Sequence, residues 1–328
     1  MRSSDPSSLL PWGLRLFASC AIAGIVWAVA VLAPATPPGI EELLAHHAPE
    51  DVDALGGMDV QQFRQSPLGA QLIQKSRPAQ DALGIPLSLH AALPVESLHA
   101  MAFAAWGVPG EAPEGFLLLS GSFETETVLE ALKELHGVDG VETTVEGVKC
   151  VGHRSETPIV AGLSSNVLYL GPASKLKAVS RVASHQAPSA WKGRRRRIIR
   201  DAVGGNPLLW GVGALTEGVA LPSSANPEEV ELFRSLREGG ICLRLGRVAS
   251  LRVWGVPDSP DRTGQIVEWL TRTRGMFALI TRALDDSGRL SAMLERVEIG
   301  DLGDAVTVQV EVSSRQLEEW VDSDLDSP

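Results

Sequence analysis

Three cysteines in 328 residues exclude a disulfide-stapled fold, and no Cys/His spacing in the chain offers a zinc site. One tyrosine stands beside eight tryptophans and seven phenylalanines, so the Tyr-rich surface common in adaptable binding sites is missing. There is no G-x-S-x-G, P-loop, Rossmann glycine fingerprint or H-E-x-x-H, and Gly211-Val212-Gly213 lacks the third glycine and helix start. No cofactor is therefore implied. Basic residues are in deficit: 29 Lys and Arg against 40 Asp and Glu leave a net charge of −11, which argues against nucleic acid as a partner. The seven histidines are scattered. His46 and His47 are adjacent, which on a helix turns them about 100° apart, and they read as a solvated turn rather than metal ligands.

A second absence carries more information. No charged side chain occurs between Leu16 and Ile40. As a helix, residues 16–33 span roughly 27 Å, close to the ~30 Å hydrocarbon core of a bilayer. Arg2 and Arg15 precede this run, and Glu41 and Glu42 follow it. The positive-inside rule places residues 1–15 in the cytoplasm and the rest outside, giving a single-pass membrane protein with a periplasmic C-terminal domain. A cleaved signal sequence is the alternative, but the run is long for one, and Ala33-Pro34-Ala35 is a poor cleavage site. Phe17-Ala18-Ser19-Cys20 resembles a lipobox in the wrong context, since the apolar run follows the cysteine. Pro34, Pro37 and Pro38 begin a stiff spacer, 34–50.

The remaining residues have globular composition, 44% hydrophobic and 21% charged over the whole chain. From Asp59 to Gln74 a helix is expected, with Ser66 as N-cap and Pro67 in the first turn. A strand with Met101 and Phe103 on one face follows over 97–106. Next come a strand at 115–121, an amphipathic helix at 125–136, a hairpin turning at Glu146-Gly147, a second hairpin turning at 164–166, and a helix at 174–185. The second half repeats the order: strand 207–215, helix 227–238, hairpin 241–256, helices 261–273 and 275–284, strands 294–299 and 305–312, and a last helix capped by Ser313. This is an α+β pattern of antiparallel sheets with packed helices in two related repeat units, 51–190 and 206–321, joined by a basic linker helix, 191–205, and ending in an acidic tail, 322–328. Cys150 and Cys242 fall in strands and read as two separately buried thiols.

Three passages together carry a resemblance. They are Asp59 before Ser66-Pro67-Leu68-Gly69, Gly115–Phe123 leading into a helix, and Asn166–Gly171 leading into another. With these the chain resembles a loose group of uncharacterised bacterial membrane-anchored proteins with a repeated α+β extracytoplasmic domain. The resemblance implies the anchored α+β architecture and brings no activity or catalytic residue with it.

One cluster departs from the acidic background: Lys192, Arg194, Arg195, Arg196, Arg197 and Arg200. On a helix, Ile198, Ile199, Ala202 and Val203 turn inward while the arginines fan outward. This is either an anionic dock or a solvated linker. The paired carboxylates sit at helix ends or in loops, where solvation or the macrodipole explains them. The expected role is therefore non-enzymatic: an envelope protein that binds a partner protein or polymer. Two alternatives stand beside it. One is an ectodomain holding a small molecule against Trp106, Trp210 or Trp254; the other is a hydrolase whose polar groups converge only in the fold.

Overall fold

Twelve strands join into one antiparallel sheet, and the strand order explains how the chain closes its core. The computed structural model describes residues 37–67, 69, 70, 73, 92–107, 114–136, 140–153, 158–192, 196, 197, 199, 200, 203, 207–215, 227–284, 294–313, 315 and 316. The expected anchor at 16–33 lies outside these. Among the described residues, no helix is long and apolar enough to cross a membrane.

The elements in chain order are α1 (Ile40–His47), β1 (Ala54–Asp59), α2 (Val60–Gln65), β2 (Leu98–Trp106), β3 (Glu114–Gly121), α3 (Thr125–His136), β4 (Gly140–Val145), β5 (Val148–His153), β6 (Pro158–Ser164), β7 (Val167–Pro172) and α4 (Ala173–Ala183). The second half follows with β8 (Leu209–Ala214), α5 (Pro227–Arg234), β9 (Leu236–Arg244), β10 (Val248–Pro257), α6 (Pro260–Leu284), β11 (Glu298–Asp301) and β12 (Val306–Ser313). Across the sheet the order is β11-β12-β10-β9-β8-β1-β2-β3-β7-β6-β5-β4.

The centre of the sheet is the antiparallel β1–β8 pair, with Ala54 opposite Gly213, Gly56 opposite Gly211 and Met58 opposite Leu209. Outward from that seam the two halves run in parallel order. One goes β1, β2, β3, β7, β6 and the other β8, β9, β10, β12, β11, with a helix after the first and third strand of each. The first half adds the β4–β5 hairpin at its edge. The α+β class is as expected, but separate sheets are not: one sheet runs through both halves.

Several local expectations hold because local chemistry decides them. Ser66 Oγ accepts the Gly69 N–H at 3.0 Å, and Ser313 Oγ accepts that of Gln316 at 3.3 Å, both N-cap geometries. Glu146 and Gly147 have φ of 52° and 82°, the left-handed pair that a two-residue hairpin requires. Other boundaries move. β9 begins at Leu236 where a helix to 238 is expected: the backbone pairs with β10 from Leu236 and with β8 from Glu238, and this tertiary pairing overrides the local helical pattern. Gly275 does not divide α6: a Cβ there meets nothing within 4 Å, so the helix tolerates it. The segment 34–50, read as a spacer, holds α1, whose Leu43 and Leu44 are fully buried.

The pleat gives the sheet two unlike faces. One carries Leu55, Ala100, Ala102, Ala104, Phe116, Leu118, Tyr169, Cys150, Trp210, Val212, Cys242 and Trp254, all in the main core cluster. It is covered by α1 and α4, and by the segment around Trp191, Ile199 and Val203. Alanines along β2 let α1 approach, and Gly57 is where it lands: a Cβ there would meet Ile40 Cγ2 at 2.3 Å. On the opposite face α3 lies over the β5–β6 end, its Thr125 and Leu129 close to Gly162. Helices α5 and α6 pack over Leu236 and Val306 at the other end.

Candidate functional site

Between those two sets of helices the second face is apolar and, among the described residues, partly exposed. Pairing registers place Val160, Leu170, Leu117, Phe103, Gly56, Gly211, Ile241, Val253 and Val308 in one row, strand by strand from β6 to β12. Eight strand steps at ~4.8 Å make this row roughly 38 Å long. The neighbouring row is Leu119, Met101, Met58, Leu209, Leu243, Leu251 and Val310, equally apolar. Along the first row Phe103, Ile241 and Val253 are 38%, 41% and 44% exposed. Exposed bulky side chains on the central strands of a sheet mark a surface rather than a core.

Glycine shapes this surface. A Cβ on Gly56 would sit 2.6 Å from the Phe103 ring, and one on Gly211 would lie 3.3 Å from that ring and 3.9 Å from Ile241 Cγ2. Phe103 thus lies across the seam, in space that side chains on β1 and β8 would otherwise fill. Beside it is a cleft of about 500 Å³ lined by Phe103, Ala105, Gly115, Leu117, Val160 and Leu170. Among the described residues no ionisable side chain lines it.

The sequence-derived candidates fall elsewhere. Trp106, Trp210 and Trp254 are 9%, 3% and 2% exposed, in the core of the opposite face. A tryptophan on a strand reads alike in sequence whichever side of the pleat it takes. His46 and His47 form the last turn of α1, with His185 5.9 Å from His46 between ring centroids. His47 is half-buried rather than solvated, its Nδ1 has no hydrogen-bond partner, and burial, with His46 beside it, lowers its pKa to about 4. Among the described residues no group of three His, Cys, Asp or Glu could hold a metal ion.

Cys150 and Cys242 are free and buried, in strands seven steps apart, roughly 34 Å. Burial pushes both thiols above their ordinary pKa, which suits packing and not nucleophilic work. One cavity, between α3 and the β4–β5 edge, is lined by Glu126, Glu130, Lys133, Glu142 and Lys149. Lys133 and Glu142 pair at 2.6 Å and Lys149 and Glu126 at 3.8 Å; their hydrogen bond raises the Lys133 pKa and lowers that of Glu142. These are solvated surface pairs.

Of the basic cluster, Lys192, Arg196, Arg197 and Arg200 are exposed; Arg194 and Arg195 lie outside the described residues. Arg200 is ion-paired to Glu41 at 3.3 Å. The apolar strip was missed in the sequence because Phe103, Ile241 and Val253 are far apart in the chain. The only local signal was Met101 and Phe103 sharing one face of their strand.

A scan against protein-family models found no match, and neither did a search of curated proteins, so the family resemblance has no independent support. Similar solved structures include crystal form IV of TP0453 (15% identity, TM-score 0.46, 88% of this chain and 97% of that one) and crystal form I of TP0453 (14%, 0.47, 88% and 98%). Likeness at that level carries no functional argument.

Proposed function

We propose that this is a membrane-anchored, extracytoplasmic envelope protein that binds a partner protein through the exposed apolar strip of its sheet, without chemistry of its own. The observation that carries the reading is the exposed row Phe103–Ile241–Val253 across the central strands. Covering apolar surface is the main driving force for association, and a contiguous strip of this kind marks an interaction site. From Phe103 to Val253 it crosses five strands, roughly 19 Å, and its shallow form suits the face of another protein. The anchor rests on the uncharged run 16–33 and its flanking charges. The reading of two related units is supported by the repeated strand and helix order on either side of the β1–β8 seam.

A second reading has one specific observation behind it. The cleft of about 500 Å³ beside Phe103 is apolar and within the size of small-molecule sites, so an apolar ligand is the alternative occupant.

One experiment separates them. A photoreactive amino acid is placed at Val253 in the full-length protein, in its own cells, and illuminated. A discrete protein adduct, lost when Ile241→Glu is added, supports the partner reading. A small-molecule adduct supports the second reading, and no adduct above a buried control at Leu118 overturns both.

A further inference from the structure

The basic residues are mounted on the side of the sheet opposite the apolar strip, and they are fixed to the first helix of the domain. Ser189 Oγ donates to Leu44 O at 2.9 Å, Ala190 N–H donates to Ala48 O at 2.9 Å, and Pro49 bridges Ser189. Trp191 is 3% exposed and packs on Trp210 with ring centroids 5.2 Å apart. Residues 196, 197, 199, 200 and 203 are helical, with Ile199 and Val203 buried in the same cluster as Leu43 and Leu44 of α1. The segment is thus no free linker. Its apolar residues hold it to the core, while Lys192, Arg196, Arg197 and Arg200 stay in solvent. Glu41 is ion-paired to Arg200, and Glu42, Glu50 and Asp51 are further exposed acids on or just beyond α1; Lys192, Arg196 and Arg197 supply the remaining cationic charge of this side in a chain of net charge −11.

We propose that this surface docks on anionic phospholipid headgroups of the membrane that carries the anchor. The proposal rests on the anchored reading above. On that reading only residues 34–39 separate the bilayer from Ile40, and six residues reach at most ~21 Å. The basic residues are tied to α1 itself, so they fall within reach of the bilayer surface, where a cation within a Debye length of ~8 Å feels the headgroup charge. Arginine pairs bidentately with phosphate, which suits this surface to phospholipid. Docking this side leaves the apolar strip, on the other face of the sheet, pointing away from the membrane toward a partner.

The test uses the full-length protein in lipid nanodiscs, either pure phosphatidylcholine or 30% phosphatidylglycerol. Glu50, exposed just beyond α1, becomes a labelled cysteine in a C20S background, and energy transfer to a headgroup-labelled lipid reports its distance from the surface. The docked population in anionic discs should exceed that in neutral discs by about fivefold for each basic side chain engaged, and should fall as salt is raised. K192Q/R196Q/R197Q should bring anionic discs to the neutral value, with an unchanged circular dichroism spectrum. Equal transfer in both discs, or in wild type and variant, overturns the proposal. Ten millimolar inorganic phosphate should not reproduce docking in neutral discs; if it does, the site takes free phosphate and not lipid. A chain that fails to enter discs of either kind refutes the anchor reading instead, and is seen separately by size exclusion.

Discussion

His47 shows how one side chain links fold and solution conditions. Folded, it stays neutral down to about pH 4, while in the unfolded chain it takes a proton below its ordinary 6.5. Between those values the unfolded state binds more protons, so stability is lost as pH falls from 6.5 to 4, by on the order of 2–3 kcal/mol. His47→Leu should remove that part of the slope; urea titrations of both proteins at pH 7 and pH 4.5 check it. The sole tyrosine is another single-residue support. Tyr169 is fully buried, stacks on Phe116 with centroids 5.4 Å apart, and donates its hydroxyl proton to Pro172 O at 2.8 Å. Tyr169→Phe leaves that carbonyl without its partner and should cost about 1 kcal/mol, whereas Tyr169→Ala opens a cavity and should cost about 3–5 kcal/mol. Chemical denaturation distinguishes the two.

Among the elements, α1 depends on one missing side chain. Gly57 gives Ile40 its seat on the sheet, and a Cβ would also come within 2.6 Å of Met101 O. Gly57→Val should lift the helix and cost about 1–3 kcal/mol, with faster amide exchange in 40–47 as the local readout. This element also shows where sequence reading stops. The helices 125–136 and 173–183 were legible because their apolar stripes are long and regular. α1 was hidden behind prolines in a short stretch. β1 was hidden by Gly56-Gly57, which reads as a turn but is the middle of the central strand, where backbone must come close on both sides.

For the molecule as a whole, the shared sheet makes a prediction about cooperativity. The halves meet through paired backbone at β1–β8, and removing either exposes a central strand edge. Unfolding followed by Trp106 in one half and Trp210 in the other should give coincident midpoints, shown by the fluorescence of variants in which only Trp106 or only Trp210 is kept and the other tryptophans are phenylalanine; two separated transitions would mean independent units. The docking side and the apolar side lie on opposite faces of this one sheet, so both proposed contacts depend on its staying in one piece.

Sequence by itself determined the α+β class, the hairpin turns, the capped helix starts and the uncharged run near the N-terminus, because each is written in neighbouring residues. Only the tertiary structure decided which side of the pleat each apolar residue takes. That choice turned three tryptophans into core and left Phe103, Ile241 and Val253 in the open. It also brought Arg200 to Glu41 across 159 residues of chain. Faces of a sheet are set by register between distant strands, and no local pattern encodes a register.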